Sequence, residues 1–326
     1  MIKVNPINIK IWSKLGSCGA FGIAACEIAE NDEKVVFLTA DLCNYSGLDR
    51  YSKLFPKRFV NLGIAEENMV GVAAGMSKQG FKPFCSTYGT FASMRCADQV
   101  RVNMGYMGLN VKLVGLTSGL SVGILGATHV SCEDISVFRS IPNITILSPA
   151  DSLETIKAVI AASSVDGPFY IRLTGPMNNP IVYNEDYDFE IGKAIKLKDG
   201  DDIGIIATGT MVYNAIEVAK QLEEIGIKCT VYDMHTIKPL DTKAIDSLKK
   251  TKLIVSIEEH SIYGGLGSAI AEHISSDSFH PPLLIIGLED KYPHAASYDF
   301  LIEKYGLSIN QIFNNILDRY KKELTK

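Results

Sequence analysis

Two adjacent carboxylates, Glu66 and Glu67, close an apolar run and open a small-residue helix in the stretch FVNLGIAEENMVGVAAGM, residues 59–76. Acid at a strand-to-helix turn lies where an open α/β sheet binds its ligands, beyond the carboxyl ends of its strands. The plainer reading is that both carboxylates complement the positive end of the helix dipole. Thiol and imidazole chemistry is less well supported. The cysteines Cys18, Cys26, Cys43, Cys85, Cys96, Cys132 and Cys229 never fall in a C-x-x-C spacing, and they read as reduced, mostly buried thiols. The six histidines are equally dispersed and form no H-E-x-x-H pair, so the spacing predicts no metal site of this chain's own.

The elements that must position that acid follow from hydrophobic pattern. KVVFLTAD (34–41), RFVNLGI (58–64), PFCST (83–87), NVKLVGLTS (110–118), NITILSP (143–149) and FYIRLTG (169–175) are continuous apolar runs, as central parallel strands covered on both faces must be. Segments of helical period lie between them at about 17–30, 66–79, 90–107 and 150–163, which gives the β-α-β-α order of a doubly wound sheet. The polar passage 178–202 reads as a linker. A second α/β unit follows, with DIGIIATGT, KCTVYDMHTIKP, KLIVSIEEH and PPLLIIGLED as strands, and an amphipathic helix ends the chain. The expected architecture is two doubly wound α/β domains, 1–190 and 191–326.

Composition excludes several function classes. The chain has 326 residues, 47% hydrophobic and 21% charged, with a net charge of -5 and no long basic run, so small-molecule chemistry is favoured over nucleic-acid binding. No apolar run approaches the length needed to cross a bilayer, and MIKVNPINIKIW lacks the apolar core of a secretory signal. A cytoplasmic protein is expected.

GIAEENMVGVAAGM, STYGTFA, GATHVSCEDISVFRSIPNITILSPAD and EEHSIYGGLGSAIAE, in this order and spacing, resemble the C-terminal part of the transketolase family of thiamine-diphosphate enzymes. The resemblance runs from about Asn8 to the end of the chain. Similar folds occur in 1-deoxyxylulose-5-phosphate synthase and in the beta subunit of 2-oxoacid dehydrogenases, as a pyrimidine-binding domain followed by a C-terminal domain. The resemblance implies that Glu66 hydrogen-bonds the pyrimidine ring nitrogen of the cofactor, a task suited to a carboxyl in a dry pocket. Glu67 is assigned no chemistry. Tyr88 and Phe91 match the aromatic wall that stacks on the aminopyrimidine and excludes water; without the match they would be core aromatics. Asp41 in TADL matches an acid near the cofactor and the subunit interface, or else caps the segment after its strand. His129 in GATH matches a substrate histidine able to shuttle a proton near neutral pH. Arg172 in YIRLTG matches an arginine for an anionic sugar tail, its plain alternative being an ion pair at a strand end.

The departures from the family pattern are equally informative. Where transketolases read GEDG, this chain has GILG, with Ile124 and Leu125 in place of both acids. Thr117 stands where many transketolases have a phosphate-contacting histidine, and residues 11–34 hold no arginine for another phosphate contact. A pocket so altered leaves a polyol partly unpaired, which points to a deoxy, branched or otherwise modified sugar. The family's G-D-G motif for Mg²⁺ and diphosphate is missing: DGDDIG at 199–204 and MNNP at 177–180 read as turns. The resemblance therefore implies an N-terminal partner subunit that supplies the Mg²⁺ and diphosphate contacts, and a heterotetramer with thiamine diphosphate at the subunit interface. The implied reaction passes a two-carbon ketol unit from a ketose to an aldose. An acyl-forming decarboxylase and a non-catalytic assembly subunit stay open as alternatives.

Overall fold

The computed structural model describes residues 2–325. The first half runs α1 (Pro6–Asn31), β1 (Val35–Thr39), α2 (Asp49–Leu54), β2 (Phe59–Asn61), α3 (Glu66–Lys78), β3 (Lys82–Tyr88), α4 (Ala97–Gln99), β4 (Lys112–Ser118), α5 (Asp134–Ser140), β5 (Thr145–Leu147), α6 (Ser152–Ser164) and β6 (Phe169–Thr174). The second half runs β7 (Ile195–Lys198), β8 (Ile203–Ala207), α7 (Met211–Glu224), β9 (Cys229–Asp233), β10 (Thr236–Lys238), α8 (Thr242–Asp246), β11 (Leu253–Ser261), α9 (Leu266–Ile274), β12 (Leu283–Leu288), α10 (Tyr298–Lys304) and α11 (Ile309–Leu324).

These elements build two doubly wound α/β layers, as the alternating pattern predicts. One sheet has the order β10-β5-β6-β4-β3-β1-β2, all parallel except β10, and the other β12-β11-β8-β9-β7, all parallel except β7. Side chains alternate across β1: Val35 and Phe37 pack under α1 and α6, whereas Val36 and Leu38 face α3 and α5. The second of these cores continues without a break into Met234, Ile237 and Ile245 of the C-terminal half. With β10 extending the first sheet, the two halves share one apolar seam. No helix among the described residues is long and apolar enough to cross a membrane.

The structure corrects several expected elements. RFVNLGI contains the edge strand β2, only partly buried, rather than a central one. The linker passage also supplies β7, and of DGDDIG only DGDD forms the turn between β7 and β8, while Ile203 and Gly204 open β8. Helix α1 starts eleven residues before the expected 17, because the Asn5 side chain accepts from the N–H groups of Ile7 and Asn8 and Pro6 opens the first turn. It breaks at Gly16, whose φ of 71° takes it out of helical geometry and lets Pro176 approach; a Cβ there would lie 2.9 Å from the Pro176 carbonyl oxygen. Residues 91–106 wind mostly as π-helical turns, Phe91–Arg95 and Val100–Tyr106, instead of one α-helix. Ser93 Oγ donates to the Gly89 carbonyl and Cys96 Sγ to that of Ala92, side-chain bonds that compete with the regular ladder.

At the seam, three carboxyls are buried together, and among the described residues no cation is bonded to them. Asp151 is satisfied by the N–H groups of Glu154, Val182 and Tyr183, while Glu154 accepts from Tyr187 Oη at 3.0 Å and Asp233 from Tyr183 Oη at 2.6 Å. Burial pushes the Asp233 carboxyl up to about 7 and that of Glu154 well above its usual range, each facing the other's side chain. Groups with raised folded values hold protons that the unfolded chain, titrating near 4, has already released. Wild type is therefore expected to lose stability relative to Glu154→Gln as pH rises from about 4 through about 7, by up to roughly 1.4 kcal/mol per pH unit for each proton. Denaturant midpoints of both proteins at about pH 5.5, about 7 and about 8.5 check this; parallel curves contradict it.

Candidate active site at the carboxyl ends of the strands

The loops that leave the carboxyl ends of β1 to β4 carry most of the residues singled out by sequence. Glu66 is the first residue of α3 and is 4% exposed, whereas Glu67 faces solvent, so the helix start separates the twin acids. The Glu66 carboxylate accepts a hydrogen bond from Arg95 Nη1 at 2.8 Å, with the arginine side chain 45% exposed. Tyr88, Phe91 and His129 form one ring cluster. Tyr88 meets Phe91 edge-on at 5.7 Å, and His129 meets Tyr88 at 5.6 Å and Phe91 at 5.3 Å. Thr128 Oγ1 lies 2.9 Å from His129 Nδ1, which leaves Nε2 as the nitrogen free for other work.

Around this cluster the backbone is strained where strands end. Asp41 and Thr117 both adopt left-handed conformations, with φ of 60° and 47°, and for a β-branched threonine this is costly. The Thr117 hydroxyl is buried without a partner. Its backbone N–H faces the Cys18 thiol, a contact that favours the thiolate, but burial outweighs it and pushes the thiol up to about 11, which keeps it neutral. Asp41 stands beside the rings rather than among them: its carboxylate accepts from Asn61 Nδ2 at 3.1 Å while its N–H donates to Asn61 Oδ1 at 3.0 Å, joining the ends of β1 and β2. Ile124 and Leu125 lie on a short 3₁₀ turn and are 77% and 46% exposed.

Arg172 does not join this group. It lies within β6, 1% exposed, where its Nε donates to Asp134 Oδ2 at 2.9 Å and its Nη2 to the carbonyls of Ser131 and Glu259 at 3.2 and 2.9 Å. With its guanidinium tied across the seam, it has no surface to offer a sugar tail in this chain, contrary to the expectation from YIRLTG. Sequence reading also missed three residues. Arg95 stacks its guanidinium 3.6 Å from the Phe91 ring centroid, and this aromatic–cation pair four positions apart was a usable signal. Tyr45, 6.3 Å from Tyr88, and Cys18 gave none, because long loops and a helix break bring them in.

The family model for the transketolase pyrimidine-binding domain matches residues 14–178, and that for the transketolase C-terminal domain matches residues 192–312. A 6-deoxy-6-sulfo-D-fructose transketolase subunit from Clostridium sp. is 40% identical over 289 residues, 88% of this chain and 88% of that protein. An apulose-4-phosphate transketolase subunit from Phocaeicola vulgatus is 38% identical over 299 residues, 91% of this chain and 95% of that one. Among solved structures, a split gene transketolase described as an inactive beta4 tetramer superposes with a TM-score of 0.84 at 38% identity, covering 95% of this chain and 98% of its own. The chain belongs to the transketolase family, whose pyrimidine-binding and C-terminal domains follow one another along it.

Proposed function

We propose that this chain is the C-terminal subunit of a split, thiamine-diphosphate-dependent transketolase that moves a two-carbon ketol unit from a ketose to an aldose. The observation that carries the proposal is the buried Glu66 carboxyl at the start of α3, beside the Tyr88–Phe91–His129 rings. These residues fit the aminopyrimidine end of the cofactor: a buried carboxyl hydrogen-bonded to a half-exposed arginine, flat aromatic faces, and an orphaned hydroxyl at Thr117. When bound, thiamine diphosphate supplies the nucleophilic carbon that carries the two-carbon unit. Glu66 holds a proton at the pyrimidine ring nitrogen, Tyr88 and Phe91 keep water from that proton, and Asp41 borders the cofactor at the subunit interface. His129 gives or takes a proton at a substrate oxygen through Nε2.

An N-terminal partner supplies the Mg²⁺ and diphosphate contacts in this reading, in a cytoplasmic heterotetramer, with the present chain divided after about residue 190. The relatives named for sulfo-sugar and apulose-phosphate substrates support a modified sugar, as does the apolar turn at Ile124 and Leu125. The test is calorimetric titration of thiamine diphosphate with Mg²⁺ into this chain alone and into its mixture with a candidate N-terminal subunit. Binding in the mixture only, followed by ketol transfer, is expected. Binding to the chain alone would remove the two-subunit reading, and carbon dioxide release from pyruvate would replace ketol transfer with acyl formation.

A further inference from the structure

Glu66 and Phe91 already have an occupant. The Arg95 guanidinium bonds the carboxylate at 2.8 Å and lies 3.6 Å from the ring centroid of Phe91. A guanidinium is flat, delocalised and rich in N–H donors. Stacked on an aromatic face with one N–H on a carboxylate, it imitates what an aminopyrimidine ring needs from the same two side chains. Both cannot take Glu66 Oε1 and the same face of Phe91 at once. Resting on the cofactor reading of Glu66 given above, we propose that Arg95 is a resident stand-in for the cofactor's aminopyrimidine, holding Glu66 and Phe91 until thiamine diphosphate binds and displaces it.

The surroundings say which partner moves. The Glu66 side chain is 5% exposed and anchored in the first turn of α3, whereas that of Arg95 is 45% exposed and closes the π-helical turn 91–95, followed by Cys96 outside helical dihedrals. A buried carboxylate left alone is costly, so release of the arginine and arrival of the ring are one exchange. Arg95 can rotate into solvent; Glu66 cannot. The exchange keeps the acid paired before assembly and lowers the apparent affinity for cofactor, because a protein whose binding-competent form is a minor population binds more weakly by that fraction.

The experiment is a double-mutant cycle on the assembled enzyme, titrated with thiamine diphosphate and Mg²⁺, using wild type, Arg95→Met, Glu66→Gln and the double variant. Arg95→Met is expected to tighten binding about tenfold, equivalent to about 1.4 kcal/mol. Glu66→Gln is expected to weaken it, and adding Arg95→Met to Glu66→Gln to give little further tightening. A merely structural arginine would weaken binding when removed. Unchanged or weaker binding by Arg95→Met, with Glu66→Gln still weakened, overturns the stand-in and leaves the role of Glu66 intact. Wild-type affinity in Glu66→Gln, or no binding by the wild-type assembly, overturns the cofactor reading and the stand-in with it.

Discussion

Glu66→Gln in the assembled enzyme is expected to cut ketol transfer by roughly 10² to 10⁴-fold, the range for loss of a positioned acid or base. The substitution keeps the shape of the side chain and removes only its capacity to hold and release a proton. Stability should scarcely change. The lost ion pair joins Glu66 to an arginine 45% exposed, which water can solvate once freed, and such pairs contribute at most about 1 kcal/mol. Turnover and denaturant midpoint measured on the same preparation separate the two effects. Full turnover would sink the assignment of Glu66, and a large fall in stability would make it a structural acid that merely caps α3.

How much of this site was legible depended on where each residue sits along its strand. Glu66 and His129 lie past β2 and β4 and Tyr88 ends β3, at the carboxyl ends where an open parallel sheet collects ligands, a rule that sequence reading could apply to the acid alone. Arg172 was singled out by its match to a family arginine, yet it lies two residues before the end of β6, inside the layer that meets the second half of the chain. Periodicity marks a strand as buried on both faces without saying what covers it, and here the cover is β11, through the Glu259 carbonyl. Arg95 escaped notice for a related reason. An α-helix over 90–107 gives that residue one heading, whereas the π-helical turn actually present brings its guanidinium over Phe91 and onto Glu66. Edge position was equally invisible: β2 has the apolar run of a central strand, and only the sheet order puts it outermost.

Arg172→Met is expected to destabilise the chain by about 3–5 kcal/mol, the cost of breaking a buried ion pair from one side. Asp134 is fully buried and receives both Arg172 Nε at 2.9 Å and Tyr170 Oη at 2.6 Å. Burial pushes its carboxyl up, but Arg172, His260 and Tyr170 outweigh burial and hold it below the usual range. Without the arginine, an uncompensated carboxylate stays in the core. Adding Asp134→Asn should recover part of the loss, because the stranded charge is then gone while Tyr170 keeps an acceptor. The depressed Asp134 value also fixes a sign: its stabilisation is present above about pH 4 and is lost as pH falls through the lower folded value, so the gap between wild type and Arg172→Met should narrow in acid. Function should follow stability here, since Arg172 Nη2 holds the Ser131 carbonyl, two residues beyond His129. Loosening that loop lowers turnover for phosphorylated and unphosphorylated sugars alike. A variant that keeps its stability and loses only the phosphorylated substrate would instead restore Arg172 as an anion contact, and would require the guanidinium to leave Asp134 in the assembled enzyme.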